Sequence, residues 1–139
     1  MILLDTSGLL AALAADQRLH REARDALERS GPPFVLSPFV LAELDYLLSR
    51  ESGTAAELTF LAEVACGAYD LAPFLDDDVS QATAVIERYR DLEIGLADAS
   101  IVVLAGRYRT DRVLTLDQRH FRALRTPRGG PFTILPADG

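Results

Sequence analysis

The chain of 139 residues contains no lysine, and all 14 of its positive charges are arginines. That absence excludes a phosphate-binding lysine of the Walker type, a Schiff base and a lysine general base. Cysteine is nearly as scarce. The one thiol, Cys66, has no partner for an internal disulfide and no metal-site spacing, so it reads as a small core residue on a helix, in a reducing compartment. There are two histidines: His20 lies in a polar helical segment, and His120 follows Asp117 too closely for a zinc motif. No apolar run approaches the ~18–20 residues that cross a bilayer. Asp5 falls where an export signal would be apolar, so the expectation is a cytoplasmic protein with no membrane association.

What is present fits one globular domain over residues 1–139, with 49% hydrophobic and 25% charged residues. The formal net charge of −7 argues against non-specific binding to nucleic acid. Its distribution is uneven. Residues 1–106 carry 7 arginines against 18 acidic groups, whereas residues 107–139 carry 7 arginines against only Asp111, Asp117 and Asp138. Arg112, Arg119 and Arg122 lie nearest Asp117 in this basic stretch and are candidates to hold a phosphate backbone.

Strand-like and helix-like patterns alternate along the chain. Strands are predicted at 1–5, 34–36, 69–72, 113–116 and 132–135. Helices are predicted at 8–15, 17–29, 38 to about 50, about 55–66, 76 to about 90 and from Gly95 to about Gly106. Gly31-Pro32-Pro33 stops one helix, and Ser37 followed by Pro38 starts the next. Repeated β–α–β units predict an α/β fold with a parallel sheet of four to five strands and helices on both faces.

Four carboxylates stand out against this pattern. Asp5 closes the apolar run Met1–Leu4, and Asp117 closes Val113–Leu116. Ligands of open parallel sheets bind beyond the carboxyl ends of strands, so these two can converge despite their separation in sequence. Each could instead cap the helix that follows. Glu43 interrupts the apolar stripe of Val40, Leu44, Leu47 and Leu48, and Asp98 does the same with Ile101, Val102 and Ala105. A lone carboxylate on such a face needs a cation, a partner or solvent at the face edge. Four together repel: at ~5 Å and an effective dielectric of ~20, each ionised pair costs roughly 3 kcal/mol. A divalent cation removes that cost, and ligation by oxygen alone favours Mg²⁺, or Mn²⁺, over Zn²⁺. Thr6, Ser7 and Thr115 place hydroxyls beside the strand-end carboxylates, where they can orient a carboxylate or a water.

Four segments carry these acids: Leu3-Leu4-Asp5-Thr6-Ser7, Ser37–Glu43, Ile94–Ile101 and Leu114–Phe121. In this order they resemble the PIN-domain ribonucleases, and most closely the VapC toxins of prokaryotic toxin–antitoxin pairs, over essentially the full length. The resemblance implies a magnesium-dependent endoribonuclease acting on structured cellular RNA, with Asp5, Glu43, Asp98 and Asp117 as the metal-binding catalytic quartet. It also implies a homodimer held inactive by a small antitoxin, and products with a 5′-phosphate and a 3′-hydroxyl. Two other readings share the strand-end Asp. A receiver or phosphoaspartyl phosphatase would rely on a lysine, and the phosphatase on a second Asp where this chain has Ser7. A PIN-fold binding module without activity is the other. Phe39, Leu41, Tyr46, Leu58, Phe60, Leu61 and Val64 exceed what one stripe against a small sheet buries, which predicts a surface for a second copy or an antitoxin helix.

Overall fold

The apolar runs that end in acids or serine are too short for helices and form the strands. The computed structural model describes residues 1–139 and contains β1 (Ile2–Leu4), β2 (Phe34–Leu36), β3 (Asp70–Leu71), β4 (Arg112–Leu114) and β5 (Thr133–Leu135). All pairings are parallel, in the order β3-β2-β1-β4-β5. The helices are α1 (Thr6–Leu13), α2 (His20–Ser30), α3 (Pro38–Ser52), α4 (Thr54–Ala65), α5 (Asp76–Arg88), α6 (Leu96–Tyr108) and α7 (Gln118–Ala123), with a 3-10 turn at Arg90–Leu92. From β1 the chain steps outward to β2 and β3, then recrosses to β4 and β5 on the other side of β1. Right-handed connections running in opposite directions place helices on both faces of the sheet.

Local chemistry sets the boundaries. Ser37 is the cap of α3: its Oγ accepts from the Phe39 amide at 3.2 Å, with Pro38 at the first helical position. Gly53, at φ 91°, takes the left-handed turn that separates α3 from α4. α1 starts at Thr6, two residues before the expected start, because Asp5 is still extended (φ −98°, ψ 153°) and the helix begins at once beyond it. β4 ends at Leu114 rather than Leu116, and the chain then forms α7, a helix the sequence reading lacks. Six residues are too few to show helical periodicity. α7 is fixed instead by Phe121, which is fully buried edge-on against Phe132 at 5.5 Å.

The core runs through β1, β2, β4 and β5 and most of α6, whose residues Ala99 to Ala105 are all buried, while the edge strand β3 stays outside it. The expected excess of apolar surface on α3 and α4 is small. Phe60 is in the core, Phe39 stacks edge-on against Phe74 at 5.1 Å, and Leu41, Leu61 and Val64 are half-buried against the core. Of that set only Tyr46 and Leu58 remain exposed, because α3 and α4 pack on each other and α3 packs on α1 and α6 as well. No helix is long and apolar enough to cross a membrane.

Gly8 sets how closely α1 approaches β4. A Cβ there would lie 2.3 Å from the Leu114 carbonyl oxygen and 2.7 Å from the Thr115 nitrogen, both backbone atoms that cannot step aside alone. Gly8→Ala should therefore destabilise the chain by about 1–3 kcal/mol or more despite the better helix propensity of alanine. Urea denaturation checks this; a variant as stable as the parent would show that α1 can move away from β4 freely.

Candidate metal centre

Beyond the end of β1, Asp5 is held by neighbours from both strands and helix. It is only 6% exposed, and its side chain makes no capping hydrogen bond to α1. Its Oδ2 accepts from Thr115 Oγ1 at 2.6 Å and from Ser7 Oγ at 3.0 Å. Those hydroxyls in turn accept backbone amides: Thr115 Oγ1 from Asp117 at 2.9 Å, and Ser7 Oγ from Leu116 at 3.0 Å. Each hydroxyl has one proton, and the amides leave that proton for Asp5. Burial raises the Asp5 carboxyl above its usual range and the charge of Asp117 adds to this, while bonds from Thr115, Ser7 and the Thr6 amide oppose it.

The other acids arrive from three helices. Glu43 stands on α3 at the solvent edge of the apolar face, exposed rather than buried in the stripe, with Oε1 accepting from Thr6 Oγ1 at 2.7 Å. Asp98 lies in the first turn of α6, with 17% of its side chain exposed. Asp117 caps α7 through Oδ1, which accepts from the His120 amide at 3.1 Å. Capping therefore occupies one oxygen of Asp117 and none of Asp5. Burial raises Asp98 from 3.8 to about 6; the charge of Asp5 pushes the same way, His120 pulls it down, and Asp117 adds a smaller upward push.

Asp5, Glu43, Asp98 and Asp117 line one open cleft of about 420 Å³ together with Thr6, Ser7 and His120. A cleft of about 490 Å³ around Arg109 and Arg128 gathers no such group of carboxylates. The acidic cleft lies beside β1, where the direction of strand addition reverses, the place at which open parallel sheets bind ligands. Its donors suit a hard divalent cation: several carboxylates in one cleft, two of them holding their protons more tightly chiefly because they are buried and secondarily because they neighbour other acids, with hydroxyls fixing one of them.

The arginine candidates fare differently. None of the three lines the cleft. Arg112 opens β4, at the strand's amino end and so the opposite sheet edge, where it donates to Ser30 Oγ at 3.0 Å. Arg122 is paired with both oxygens of Asp138 at 2.7 and 2.9 Å. Arg119 is exposed on α7, the helix that Asp117 caps. Two residues escaped the sequence reading. Arg18, exposed on the loop before α2, lines a neighbouring cleft with Thr115, Leu116 and Gln118. His120 sits among the acids with Nδ1 3.0 Å from Asp98 Oδ2 and 3.0 Å from Asp117 Oδ2. Its signal was the i+3 spacing from a helix-capping Asp, which puts both on one side of the helix start.

The PIN domain profile matches residues 2–126. The chain belongs to the PIN-domain family. It is 46% identical over 135 residues to Ribonuclease VapC26 of Mycobacterium tuberculosis (strain ATCC 25618 / H37Rv), covering 97% of this chain and all of that one. The crystal structure of VapC20 of Mycobacterium tuberculosis, described as a sarcin-ricin loop cleaving toxin, superposes with a TM-score of 0.76 at 25% identity, over 84% of this chain and 90% of that chain. A toxin–antitoxin complex from Klebsiella pneumoniae shares the fold, with a TM-score of 0.67 at 21% identity over 89% of this chain and 92% of that one. The chain is thus a PIN domain homologous to VapC ribonucleases, a family generally dependent on divalent metal.

Asp98 gives the site a pH signature. Its folded value is raised to about 6, so the folded chain holds this proton more tightly than the unfolded chain. The associated stability is complete below about pH 4 and is lost as pH rises through about 6, with Asp5 acting in the same sense and Asp117 and His120 facing the group. In metal-free buffer the thermal midpoint should fall across that range, and Asp98→Asn should flatten the fall. A variant that retains the parent's full pH slope would assign the slope to other groups.

Proposed function

We propose that the chain is a Mg²⁺-dependent endoribonuclease that hydrolyses phosphodiester bonds in cellular RNA and serves as the toxin of a type II toxin–antitoxin pair. The supporting observation is the convergence of Asp5, Glu43, Asp98 and Asp117 in one cleft of a PIN domain. Asp5, Asp98 and Asp117 would hold the cation, with Mn²⁺ able to replace Mg²⁺, and Glu43 would join them from the rim. When bound, the cation acidifies a water and offsets negative charge building on the phosphoryl oxygens.

The remaining steps belong to the chain's own groups. Ser7 and Thr115 fix Oδ2 of Asp5, which leaves Oδ1 as the oxygen not engaged by a hydroxyl. Thr6 anchors Oε1 of Glu43, so Oε2 of that exposed carboxylate is available to orient the attacking water and receive its proton. The products would carry a 5′-phosphate and a 3′-hydroxyl. Arg119 and Arg18, exposed near α7 and the cleft, would contact flanking phosphates. The substrate would be a structured RNA, a reading in keeping with the description of VapC20 as a sarcin-ricin loop cleaving toxin. The partners would be a small antitoxin, whose basic side chain could enter the acidic cleft, and a second copy of the chain, all in the cytoplasm.

Cleavage of a structured RNA, followed with and without Mg²⁺, tests this. The parent should cleave only with the metal, and Asp5→Asn should abolish cleavage without loss of thermal stability. Thr115→Val, which removes one hydroxyl from Asp5, should lower the rate by about 10–100-fold. Equal cleavage by Asp5→Asn would remove the acidic cleft from the chemistry, and a fully folded parent that binds RNA without cutting it under any divalent metal would make the chain a binding module.

A further inference from the structure

Outside the acidic quartet, His120 is the one ring nitrogen brought among the carboxylates, and its surroundings do not resemble an ordinary hydrogen-bonded histidine. Nδ1 lies 3.0 Å from Asp98 Oδ2 with hydrogen-bond geometry. It lies equally close to Asp117 Oδ2, at 3.0 Å, as a close approach without a hydrogen bond. One N–H reaches both oxygens only as a bent, three-centre bond, and the hydrogen-bond geometry here serves Asp98, leaving Asp117 to charge attraction alone when the ring is protonated. A cation between the three atoms would hold both oxygens and the nitrogen at once, without a protonated ring. In an octahedral shell with ligands at about 2.1 Å, adjacent ligands stand about 3.0 Å apart. The nitrogen and its two oxygens all lie within 4.8 Å of one another.

The fold holds the nitrogen there. The His120 amide donates to Asp117 Oδ1, so capping carboxylate and imidazole share one helix start. The next residue, Phe121, is fully buried against Phe132 and pins α7 to the core. His120 itself keeps only 19% of its side chain exposed. The other histidine, His20, is engaged elsewhere, its Nδ1 2.7 Å from the Ala11 carbonyl oxygen.

We propose that His120 is a nitrogen ligand of the cation bound in this cleft, coordinating through Nδ1 beside Asp98 and Asp117, and that it tilts the site towards Mn²⁺ relative to Mg²⁺. Both ions favour oxygen donors, but Mn²⁺, a first-row transition metal, accepts an imidazole nitrogen more readily than Mg²⁺ does, so a mixed set of this kind separates the two metals more than an all-carboxylate set would. This rests on the reading of the cleft as a cation site. It concerns which atoms form the shell, not whether RNA is the substrate.

The test is pulsed electron paramagnetic resonance on the full chain loaded with Mn²⁺, without RNA. The parent should show a directly bonded nitrogen whose coupling changes when histidine is labelled with ¹⁵N. The coupling should vanish in His120→Gln and persist in His20→Gln. Mn²⁺ affinity should fall about 10-fold in His120→Gln, while Mg²⁺ affinity, read by competition, changes less than about 2-fold. The labelled parent decides the ligand even if the variant folds poorly. Mn²⁺ bound by the parent, and lost in Asp98→Asn, but showing no histidine nitrogen would overturn the His120 assignment and leave the cation site standing. An unchanged ratio of Mn²⁺ to Mg²⁺ affinity in a folded His120→Gln would overturn the selectivity. A parent that binds neither metal would overturn the cation site together with it.

Discussion

The parallel pairing of β1 with β4 is the constraint on which the acidic cleft depends. Leu3 registers with Val113 and Leu4 with Leu114, and the ladder is extended by the Asp5 amide donating to the Leu114 carbonyl at 3.0 Å. That carbonyl lies under Gly8, so β1, α1 and β4 meet at one backbone atom. The two chains separate just beyond it. β1 turns into α1 behind Asp5, and β4 turns through Thr115 towards the Asp117 cap of α7. Two acids distant in sequence thereby leave the sheet at the same edge, beside the strand where the winding reverses.

That edge concentrates negative charge in a place the core would not otherwise tolerate. Asp5 is buried, Asp98 is largely so, and both hold their protons more tightly than free carboxylates do. The hydroxyls of Ser7 and Thr115 stabilise the charged form of Asp5 without cancelling the effect of burial. No lysine or arginine neutralises the group, and His120 is the only basic side chain among the residues that line it. On the cation-site reading such a cleft is preorganised for its ion, and the cost of that preorganisation would appear in the metal-free chain as carboxylates that resist ionisation.

Much of this was legible from residue order. An acid that ends an apolar run, as Asp5 and Asp117 do, marks a strand end, and strand ends of a parallel sheet converge. Glu43 and Asp98 were legible as breaks in helical stripes, although Glu43 reaches solvent because it sits at the border of its stripe. Features set by tertiary contact were hidden. α7 is a single buried phenylalanine with a capping Asp, too short to display a period. The place of Arg112 follows from strand direction, which puts the first residue of β4 at the far edge from Asp117. Arg122 meets Asp138 across 16 positions, a pairing that depends on how the chain folds back after β5. His120 was dismissed on metal-motif spacing, and only the structure shows that α6 delivers Asp98 to the same nitrogen.

The redistribution of the arginines alters how a polyanion would meet this surface. Proximity in sequence suggested a basic stretch beside Asp117. In the folded chain Arg112 faces the wrong edge and Arg122 is already neutralised, so the exposed guanidinium groups near the cleft reduce to Arg119 and Arg18. With a net charge of −7, the chain has no broad electrostatic field to draw RNA in. On the ribonuclease reading, few phosphate contacts mean a shallow dependence of binding on salt. Discrimination must then come from the shape of the RNA around the scissile phosphate and from the cation that turns a repulsive cleft into an attractive one. The same carboxylates that would exclude RNA from the empty cleft would thus admit it once the metal is bound.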